Sequence, residues 1–290
     1  MDYTLIGNAY NNTVRIYVSN TKNLVQKAQE LHVTYPTSSA ALGRLLTAGV
    51  MMGLMYKNNE KITLQFKCDG PIKMLLVEAN GSGEVRGTLG NPKLYFKYSN
   101  GKKKGKLNVS KALGNGFFHL TKDLLSNGIY TSSSKIVSGE IAEDITYYFS
   151  QSEQTNSSVA LGVLVNPDLS IAESGGFIIQ LMPGATNHTV ELLETILNKF
   201  TSITEFYSSG NSPEELFDLL SNNTGNIIKK IPVKYNCHCS KMGFTKSLKS
   251  LGKKTISEIL LEDGGAEIIC HFCNKKYTFN SLDLESMINN

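Results

Sequence analysis

Apolar and polar residues alternate near the start of the chain. Three aliphatic residues, Val14, Ile16 and Val18, are separated by single polar or aromatic ones, the period-two pattern of a half-buried β-strand. A similar run precedes them, and the two asparagines between the runs tolerate the positive φ angles of a tight turn. The pattern therefore predicts a β-hairpin with strands at residues 3–10 and 13–19.

Two helices are predicted next. Residues 21–33 carry apolar side chains on one face, as an amphipathic helix does. Residues 40–56 are apolar almost all round, which is typical of a helix buried inside a domain. Because Pro36 disfavours a helical conformation in the residue before it, we expect Ser38 or Ser39 to cap this second helix.

Short apolar segments, separated by glycine, proline and asparagine, continue as far as residue 182. They predict strands at residues 61–67, 72–78, 83–88, 94–98, 159–165 and 177–181. A further helix is predicted at residues 139–149. Clustered strands with few helices indicate an α+β fold rather than strict alternation of strand and helix. We therefore expect residues 1–182 to form an α+β core domain with mixed sheet and helix.

Residues 183–232 are expected to form a helical linker. An apolar stripe predicts one purely helical segment at residues 190–206. A second helix is predicted to begin after Ser212, which can cap it, because Pro213 suits the first helical position and Glu215 completes a capping box. Two short amphipathic helices have little surface to share, so we expect both to pack against the core domain.

The composition is that of an ordinary globular protein. The 290 residues are 41% hydrophobic and 19% charged, with a formal net charge of +4, which neither requires nor excludes a nucleic-acid partner. The N-terminal end lacks the basic and apolar runs of a signal peptide. The longest apolar run is too short to span a bilayer. We therefore expect a cytoplasmic protein with no membrane partner.

Four of the five cysteines lie in two short clusters near the C-terminal end, spaced Cys-x-Cys and Cys-x-x-Cys. These residues are Cys237, Cys239, Cys270 and Cys273. Cytoplasmic thiols are kept reduced, and four thiolates make a tetrahedral set that suits Zn²⁺. We therefore expect residues 233–290 to form a small zinc-binding domain with one ion per chain. His238 and His271 are substitute candidates, but the four cysteines already complete the set.

Two roles for the zinc site are open at this point. A segment of roughly sixty residues often needs a metal to fold, so zinc can be a structural staple, and the spacing alone favours that role. The same chemistry permits a switch, because structural zinc contributes about 10–16 kcal/mol of apparent folding free energy. Oxidation of the thiolates removes the ligands, so the domain would unfold and the linker before it would lose its partner.

The sequence carries no recognisable enzymatic site. Its glycine-rich stretches match neither the dinucleotide-binding nor the phosphate-binding pattern, and no serine lies in a nucleophile elbow. The five histidines have no evident acid–base partner in the sequence. Cys68 is interpreted as a packing residue without a further role. We therefore expect a protein that is not an enzyme.

Two other functions compete with a switch. Lysines in the C-terminal segment give some support to a nucleic-acid-binding protein with a structural zinc ribbon. Acidic residues dilute those lysines, so we do not expect a nucleic-acid partner. Alternatively, Cys270 and Cys273 can be the reactive pair of a thiol–disulfide oxidoreductase. That activity normally goes with a βαβ context, which is not evident here.

Several stretches together resemble one known family. They are the two cysteine clusters, Pro36-Thr37-Ser38-Ser39-Ala40-Ala41-Leu42-Gly43-Arg44, the segment from Ser138-Gly139-Glu140 to Ser152-Glu153-Gln154, and Gly175-Gly176-Phe177-Ile178-Ile179-Gln180-Leu181-Met182-Pro183-Gly184. Along essentially the whole chain, they resemble the redox-regulated heat-shock chaperone family, the thirty-three-kilodalton chaperonins of bacteria. The cysteine pattern is the most specific mark of the resemblance, and none of its four positions departs from the family.

The resemblance implies a cytoplasmic chaperone that holds unfolding proteins without ATP under oxidative and heat stress. The reduced, zinc-bound monomer would be inactive. Oxidation would release zinc and form two disulfides, Cys237–Cys239 and Cys270–Cys273, with the second pair oxidised more readily. The C-terminal region and the linker would then unfold, and the chain would form an active homodimer. On this basis we predict a switch rather than a staple.

Overall fold

The computed structural model describes residues 1–57, 59–101 and 103–289. It divides into two compact units, Met1–Asn236 and Cys237–Asn290. The first unit contains most of the strands, and the second contains the four clustered cysteines. None of the described helices is both long enough and apolar enough to cross a membrane.

The first unit combines helices with short strands. Its helices are α1 (Lys22–His32), α2 (Pro36–Gly53), α3 (Val109–Leu113), α4 (Ala142–Ser152), α5 (Asn187–Lys199), α6 (Ile203–Ser208) and α7 (Pro213–Leu220). Its strands are β1 (Tyr3–Ala9), β2 (Val14–Asn20), β3 (Lys61–Cys68), β4 (Met74–Asn80), β5 (Glu84–Leu89), β6 (Gly116–Asp123), β7 (Ile129–Lys135), β8 (Ser157–Val165), β9 (Ile171–Leu181), β10 (Asn226–Pro232) and β11 (Lys234–Tyr235). The predicted hairpin is confirmed as β1 and β2, which pair antiparallel.

Two sheets pack against the central helix α2. The first has the strand order β10-β1-β2-β9-β8, and the second has the order β11-β5-β4-β3-β6-β7. Helix α2 contacts strands of both sheets. Its residues Leu42, Leu45, Leu46 and Met51 are at most 1% exposed. The α+β class and the buried apolar helix are therefore confirmed.

Helix α2 begins earlier than predicted, at Pro36 rather than near residue 40. Tyr35 precedes it in an extended conformation, and proline suits the first helical position because its missing N–H would have no helical partner. Ser38 and Ser39 therefore lie inside the helix and do not cap it. Ser38 Oγ instead donates a hydrogen bond to the carbonyl of Asn91 at 2.9 Å.

Residues 94–98 are not a strand, contrary to the prediction. Their backbone groups bind the start of α2. The Thr37 N–H donates to the Leu94 carbonyl at 3.1 Å, and the Phe96 N–H donates to Thr37 Oγ1 at 2.8 Å. Packing against a helix therefore explains the alternating pattern that suggested a strand.

The single helix predicted at residues 190–206 is two helices, α5 and α6. The chain is extended at Phe200 and Ser202. The Phe200 ring packs against Phe177 of β9, with 5.7 Å between ring centroids. Ser202 Oγ accepts from the Glu205 N–H at 3.1 Å and so caps α6. The contact of Phe200 with Phe177 and the Ser202 cap therefore end α5 and start α6, although the apolar stripe continues through both helices.

Helix α7 has the predicted capping box. Ser212 Oγ accepts from the Glu215 N–H at 3.2 Å, and the Glu215 carboxylate accepts from the Ser212 N–H at 2.6 Å. The linker helices also pack on the core sheet as expected, because their buried side chains join an apolar cluster with residues of β1, β2 and β9. Those linker side chains are Leu193, Ile203, Tyr207, Leu216, Phe217 and Leu220.

The end of the predicted helical linker is a strand. Strand β10 pairs antiparallel with β1 and forms one edge of the first sheet. Gly7 permits this close approach, because a Cβ there would lie 2.4 Å from the Asn226 carbonyl oxygen and 2.5 Å from the Phe217 ring. The linker is therefore joined to the core by backbone pairing as well as by helix packing.

The second unit is small. Its elements are α8 (Lys241–Lys249), α9 (Lys253–Asp263), β12 (Ala266–Ile269), β13 (Lys276–Phe279) and α10 (Ser281–Asn289). The two strands pair antiparallel. The buried core consists of Leu248, Ile256, Tyr277, Phe279, Leu284 and Met287. So few buried side chains give a unit of this size little hydrophobic stabilisation.

Candidate metal centre

The four clustered cysteines bring their sulfur atoms together in the second unit. All four sulfurs lie within 4.8 Å of one another. Cys237 Sγ lies 3.7 Å from Cys270 Sγ, and Cys239 Sγ lies 3.4 Å from Cys273 Sγ. A tetrahedral ion with metal–sulfur bonds of about 2.3 Å places its sulfurs about 3.8 Å apart. The four thiols therefore fit a soft divalent metal ion.

The first cysteine pair immediately precedes α8. Ser240 caps this helix by accepting from the Gly243 N–H at 3.1 Å, so the chain turns into the helix directly after Cys239. Both sulfurs of the pair reach the cluster, as expected for residues two apart. Among the described residues, the cluster of possible metal ligands consists of the four cysteine sulfurs and does not include the ring nitrogens of His238 or His271.

The second cysteine pair lies in the turn between β12 and β13. The Asn274 N–H donates to the Cys270 carbonyl at 2.8 Å, and the Cys270 N–H donates to the Lys275 carbonyl at 3.0 Å. Backbone N–H groups of Phe272 and Cys273 bind the Cys270 sulfur, and that of Lys275 binds the Cys273 sulfur. Such backbone donors stabilise thiolates.

Tyr277 belongs to the site, although the sequence gave no sign of it. Its hydroxyl lies 3.2 Å from Cys239 Sγ and donates to the Cys239 carbonyl at 2.9 Å. Burial raises the pKa of Cys239, but hydrogen bonds from Tyr277 and the other thiols outweigh burial and lower that pKa to about 7. The two residues are 38 positions apart, so the fold of the unit brings them together.

Cys270 and Cys273 hold their protons more tightly. Burial raises the pKa of Cys273 to about 12, and its hydrogen bond with Cys239 adds to the rise. Burial also raises the pKa of Cys270. Of these three thiols, Cys239 therefore loses its proton most readily. Metal binding has to displace the remaining protons, because the ligands in a metal–thiolate site are deprotonated.

The cluster lies near the surface of its unit. Cys270 is 4% exposed, and the other three cysteines are half-buried free thiols. Accessible thiols with thiolate character are the ones that oxidants attack. The arrangement can therefore do two things: hold a metal ion, and give up electrons to an oxidant.

The chain is similar to known chaperonins over its whole length. The model of the Hsp33 protein family matches residues 2–280. The 33 kDa chaperonin of Acholeplasma laidlawii is 49% identical over 287 residues, covering 99% of this chain and 98% of that protein. The 33 kDa chaperonin of Bacillus subtilis is 42% identical over 288 residues, with 99% and 98% covered. The crystal structure of the 33 kDa chaperonin from Thermotoga maritima has a TM-score of 0.90 at 28% identity and covers 99% of this chain and 97% of that chain.

We predict that the reduced chain binds one Co²⁺ ion through the four clustered thiols. The bound ion should produce the intense near-ultraviolet absorption of cobalt–thiolate bonds. Cys273→Ser should lose that absorption and the one-to-one stoichiometry, because a hydroxyl is a poor ligand for a soft ion. Cys68→Ser is the matched control, since Cys68 lies outside the cluster. Unchanged cobalt binding by Cys273→Ser would reject this site.

Proposed function

Since the chain belongs to the Hsp33 family, we propose that it is a redox-regulated chaperone that holds unfolding proteins without ATP. The observation that carries the proposal is a four-thiol cluster in a weakly packed unit, directly after a linker that packs on an apolar sheet face. The proposed organisation has three parts: a client-holding core at residues 1–182, a linker at 183–232, and a redox-sensing zinc domain at 233–290.

The proposed metal ligands are Cys237, Cys239, Cys270 and Cys273, with one Zn²⁺ per chain. Zinc suits the site because it accepts four thiolates in a closed tetrahedral set. When bound, it stabilises the folded unit by about 10–16 kcal/mol of apparent free energy. That contribution is comparable with burial of the six core side chains, at about 1.5–3 kcal/mol each, so folding of the second unit would depend on intact thiolates.

The proposed switch is oxidation of these thiolates by a peroxide. Two cysteine thiols and one hydrogen peroxide yield one disulfide and two water molecules, so two equivalents of peroxide oxidise all four. The proposed pairs are Cys270–Cys273 and Cys237–Cys239. A disulfide leaves no thiolate to bind the ion, so the ligand set is lost together with the free energy that it contributed.

The linker is the proposed latch. Its buried side chains cover apolar residues of β1, β2 and β9, and this surface would become available to clients once the linker is released. The chain continues from β11 directly into Cys237. Unfolding of the second unit would therefore leave β11 followed by an unfolded segment, and release of the linker would also require the pairing of β11 with β5 to be lost.

The remaining parts of the proposal follow from the same scheme. Clients would be unfolded or partly folded proteins, because those expose apolar segments. The reduced chain would be a monomer, and the oxidised chain a homodimer, in the cytoplasm under oxidative and heat stress. No catalytic turnover is proposed, so the activity should be stoichiometric with client.

The direct test follows aggregation of a denaturant-unfolded client by light scattering. Peroxide-treated chain should suppress aggregation at about one chain per client, and the dithiothreitol-reduced chain should not. Cys68→Ser should behave like the wild type in both states, because Cys68 is not among the clustered thiols. The proposal is wrong if the oxidised chain suppresses aggregation no better than the reduced chain.

A second prediction concerns the latch alone. Phe217 of α7 is fully buried against the core sheet, and Phe217→Ala should cost about 3–5 kcal/mol by leaving a cavity there. Because that cost falls on the linker, the reduced variant should already suppress aggregation.

Phe66→Ala is the matched control for this latch variant. Phe66 is also fully buried, but it lies in the separate cluster around α2. Its truncation should lower the free energy of unfolding to a similar extent without activating the reduced chain. Equal activity of the two reduced variants would show that general destabilisation, rather than release of the linker, exposes the client surface.

A further inference from the structure

Strand β8 forms the outer edge of the first sheet and pairs only on its inner side, with β9, in the described residues. The Leu181 N–H donates to the Asn156 carbonyl at 2.9 Å. This bond fixes which residues point inward, because backbone groups alternate in direction along an antiparallel strand. The residues whose N–H and C=O groups point outward are therefore Ser157, Val159, Leu161 and Val163.

These outward backbone groups have no hydrogen-bond partner within residues 1–57, 59–101 and 103–289. Unpaired edges invite pairing with other chains, and proteins usually protect them with lysine or proline. Strand β10, at the opposite edge, carries Lys229, Lys230 and Pro232, and β7 ends in Lys135. Strand β8 has the sequence SSVALGVLV, without a charge or a proline. Strand β11, the other edge of the second sheet, carries Lys234. The β8 edge is thus the unprotected one of the four edges of these two sheets.

The unprotected edge borders a groove of about 1130 Å³. Consecutive residues from Leu161 to Val165 line it, as expected if the strand presents its edge rather than one face. The linker contributes apolar side chains on one side, including Phe200 and Ile203. The segment around Tyr95 and Leu107 contributes to the other side. The linker side of the groove would be lost when oxidation releases the linker, whereas the β8 edge and the segment around Tyr95 and Leu107 belong to the core. In the oxidised chain, the β8 edge therefore offers backbone hydrogen bonds beside the apolar contacts that the core supplies.

The groove also carries a surplus of positive charge. Its charged residues are Arg44, Lys97, Lys103, Lys106, Glu143 and Glu205. Arg44 and Lys103 pair with Glu140, at 2.7 Å and 3.6 Å. Lys97 and Lys106 have no ion pair with any described residue. An occupant with carboxylates would complement these two lysines.

We propose that the β8 edge is a docking strand, to which an extended client segment with alternating apolar and acidic residues adds as a further strand. The inference rests on the proposed chaperone function and names the client chemistry and the place where it binds. Four outward residues, each with one donor and one acceptor, provide sequence-independent backbone pairing. Apolar side chains and the two lysines then favour one class of segment over another.

Peptide binding to the oxidised full-length chain tests which kind of client segment binds. The probe is a fluorescein-labelled ten-residue peptide of alternating valine and glutamate, followed by fluorescence anisotropy. The same peptide with alternate backbone nitrogens methylated should bind at least about tenfold more weakly, because it cannot pair with a strand edge. A valine–lysine peptide should also bind more weakly. Equal binding of the methylated peptide would overturn the proposal.

Proline substitution tests whether the peptide binds at the β8 edge. Val159→Pro removes one outward N–H and blocks approach to the edge, while the bonds to β9 remain, so the fold should tolerate it. We expect it to weaken peptide binding about tenfold. The matched control is Ser133→Pro, which removes an outward N–H from the β7 edge and should leave binding unchanged. Equal effects of the two variants would contradict docking at β8.

Amide hydrogen exchange on the unmutated chain also tests whether the peptide binds at the β8 edge. Adding the valine–glutamate peptide to the oxidised chain should slow exchange at Val159, Leu161 and Val163 at least about tenfold. Unchanged exchange there would overturn the proposal. The proposal would also be overturned if exchange at these amides slowed without peptide and slowed further as protein concentration rose. Strand β8 would then pair with a second copy of the chain.

The two proposals can fail separately. If the oxidised chain suppresses aggregation but the β8 amides do not respond to peptide, the docking strand is wrong and the chaperone function stands. If the amides respond but the oxidised chain does not suppress aggregation, the docking strand stands and the chaperone function fails.

Discussion

Four sulfur atoms lie within 4.8 Å of one another in the second unit. They join two chain segments that are 33 residues apart, in a unit whose own core consists of six buried side chains. Sulfurs at this spacing would repel one another as thiolates, so a bound divalent cation would offset part of their negative charge and fix their positions. Three of these thiols are half-buried and accessible to an oxidant, whereas Cys270 is 4% exposed. In the proposed function, the stability of this unit and its response to oxidants would both arise from the same four atoms.

The linker is held to the core by interactions of unequal strength. Its buried helical side chains and the pairing of β10 with β1 account for most of the attachment. Glu214 adds polar contacts, accepting from the Tyr3 hydroxyl at 2.6 Å and pairing with Lys230 at 2.7 Å. These charged side chains are substantially exposed, so their pair contributes little. Apolar burial is thus the main attachment, and releasing it exposes the type of surface that attracts unfolding chains.

The sequence was informative where a local pattern decides the structure. The alternation at Val14, Ile16 and Val18 correctly predicted the first hairpin, and Ser212 with Glu215 correctly predicted the start of α7. The cysteine spacing identified the thiols that gather. Prediction was weaker where distant partners decide. Thr37 forms hydrogen bonds with backbone groups of Leu94 and Phe96, so those groups do not pair with a strand.

Other features depend on distant contacts, although the Ser202 cap that starts α6 is a local signal. The helix at residues 190–206 breaks because Phe200 packs on Phe177, a contact between segments far apart in sequence. Strand β10 was missed because six of its seven residues are exposed, so its sequence lacks the apolar alternation of a half-buried strand. Tyr277 joined the site through the fold of the second unit. Each omission concerns an interaction between residues that are distant along the chain.

The most direct test of the switch follows metal release and secondary structure in one peroxide titration of the reduced full-length chain. A chromophoric chelator reports released zinc, and far-ultraviolet circular dichroism reports helix content. The account predicts that one zinc per chain is released and that helical signal falls over the same range of peroxide. Complete zinc release with an unchanged spectrum would contradict the account. In that case the folding of the linker would not depend on the bound metal.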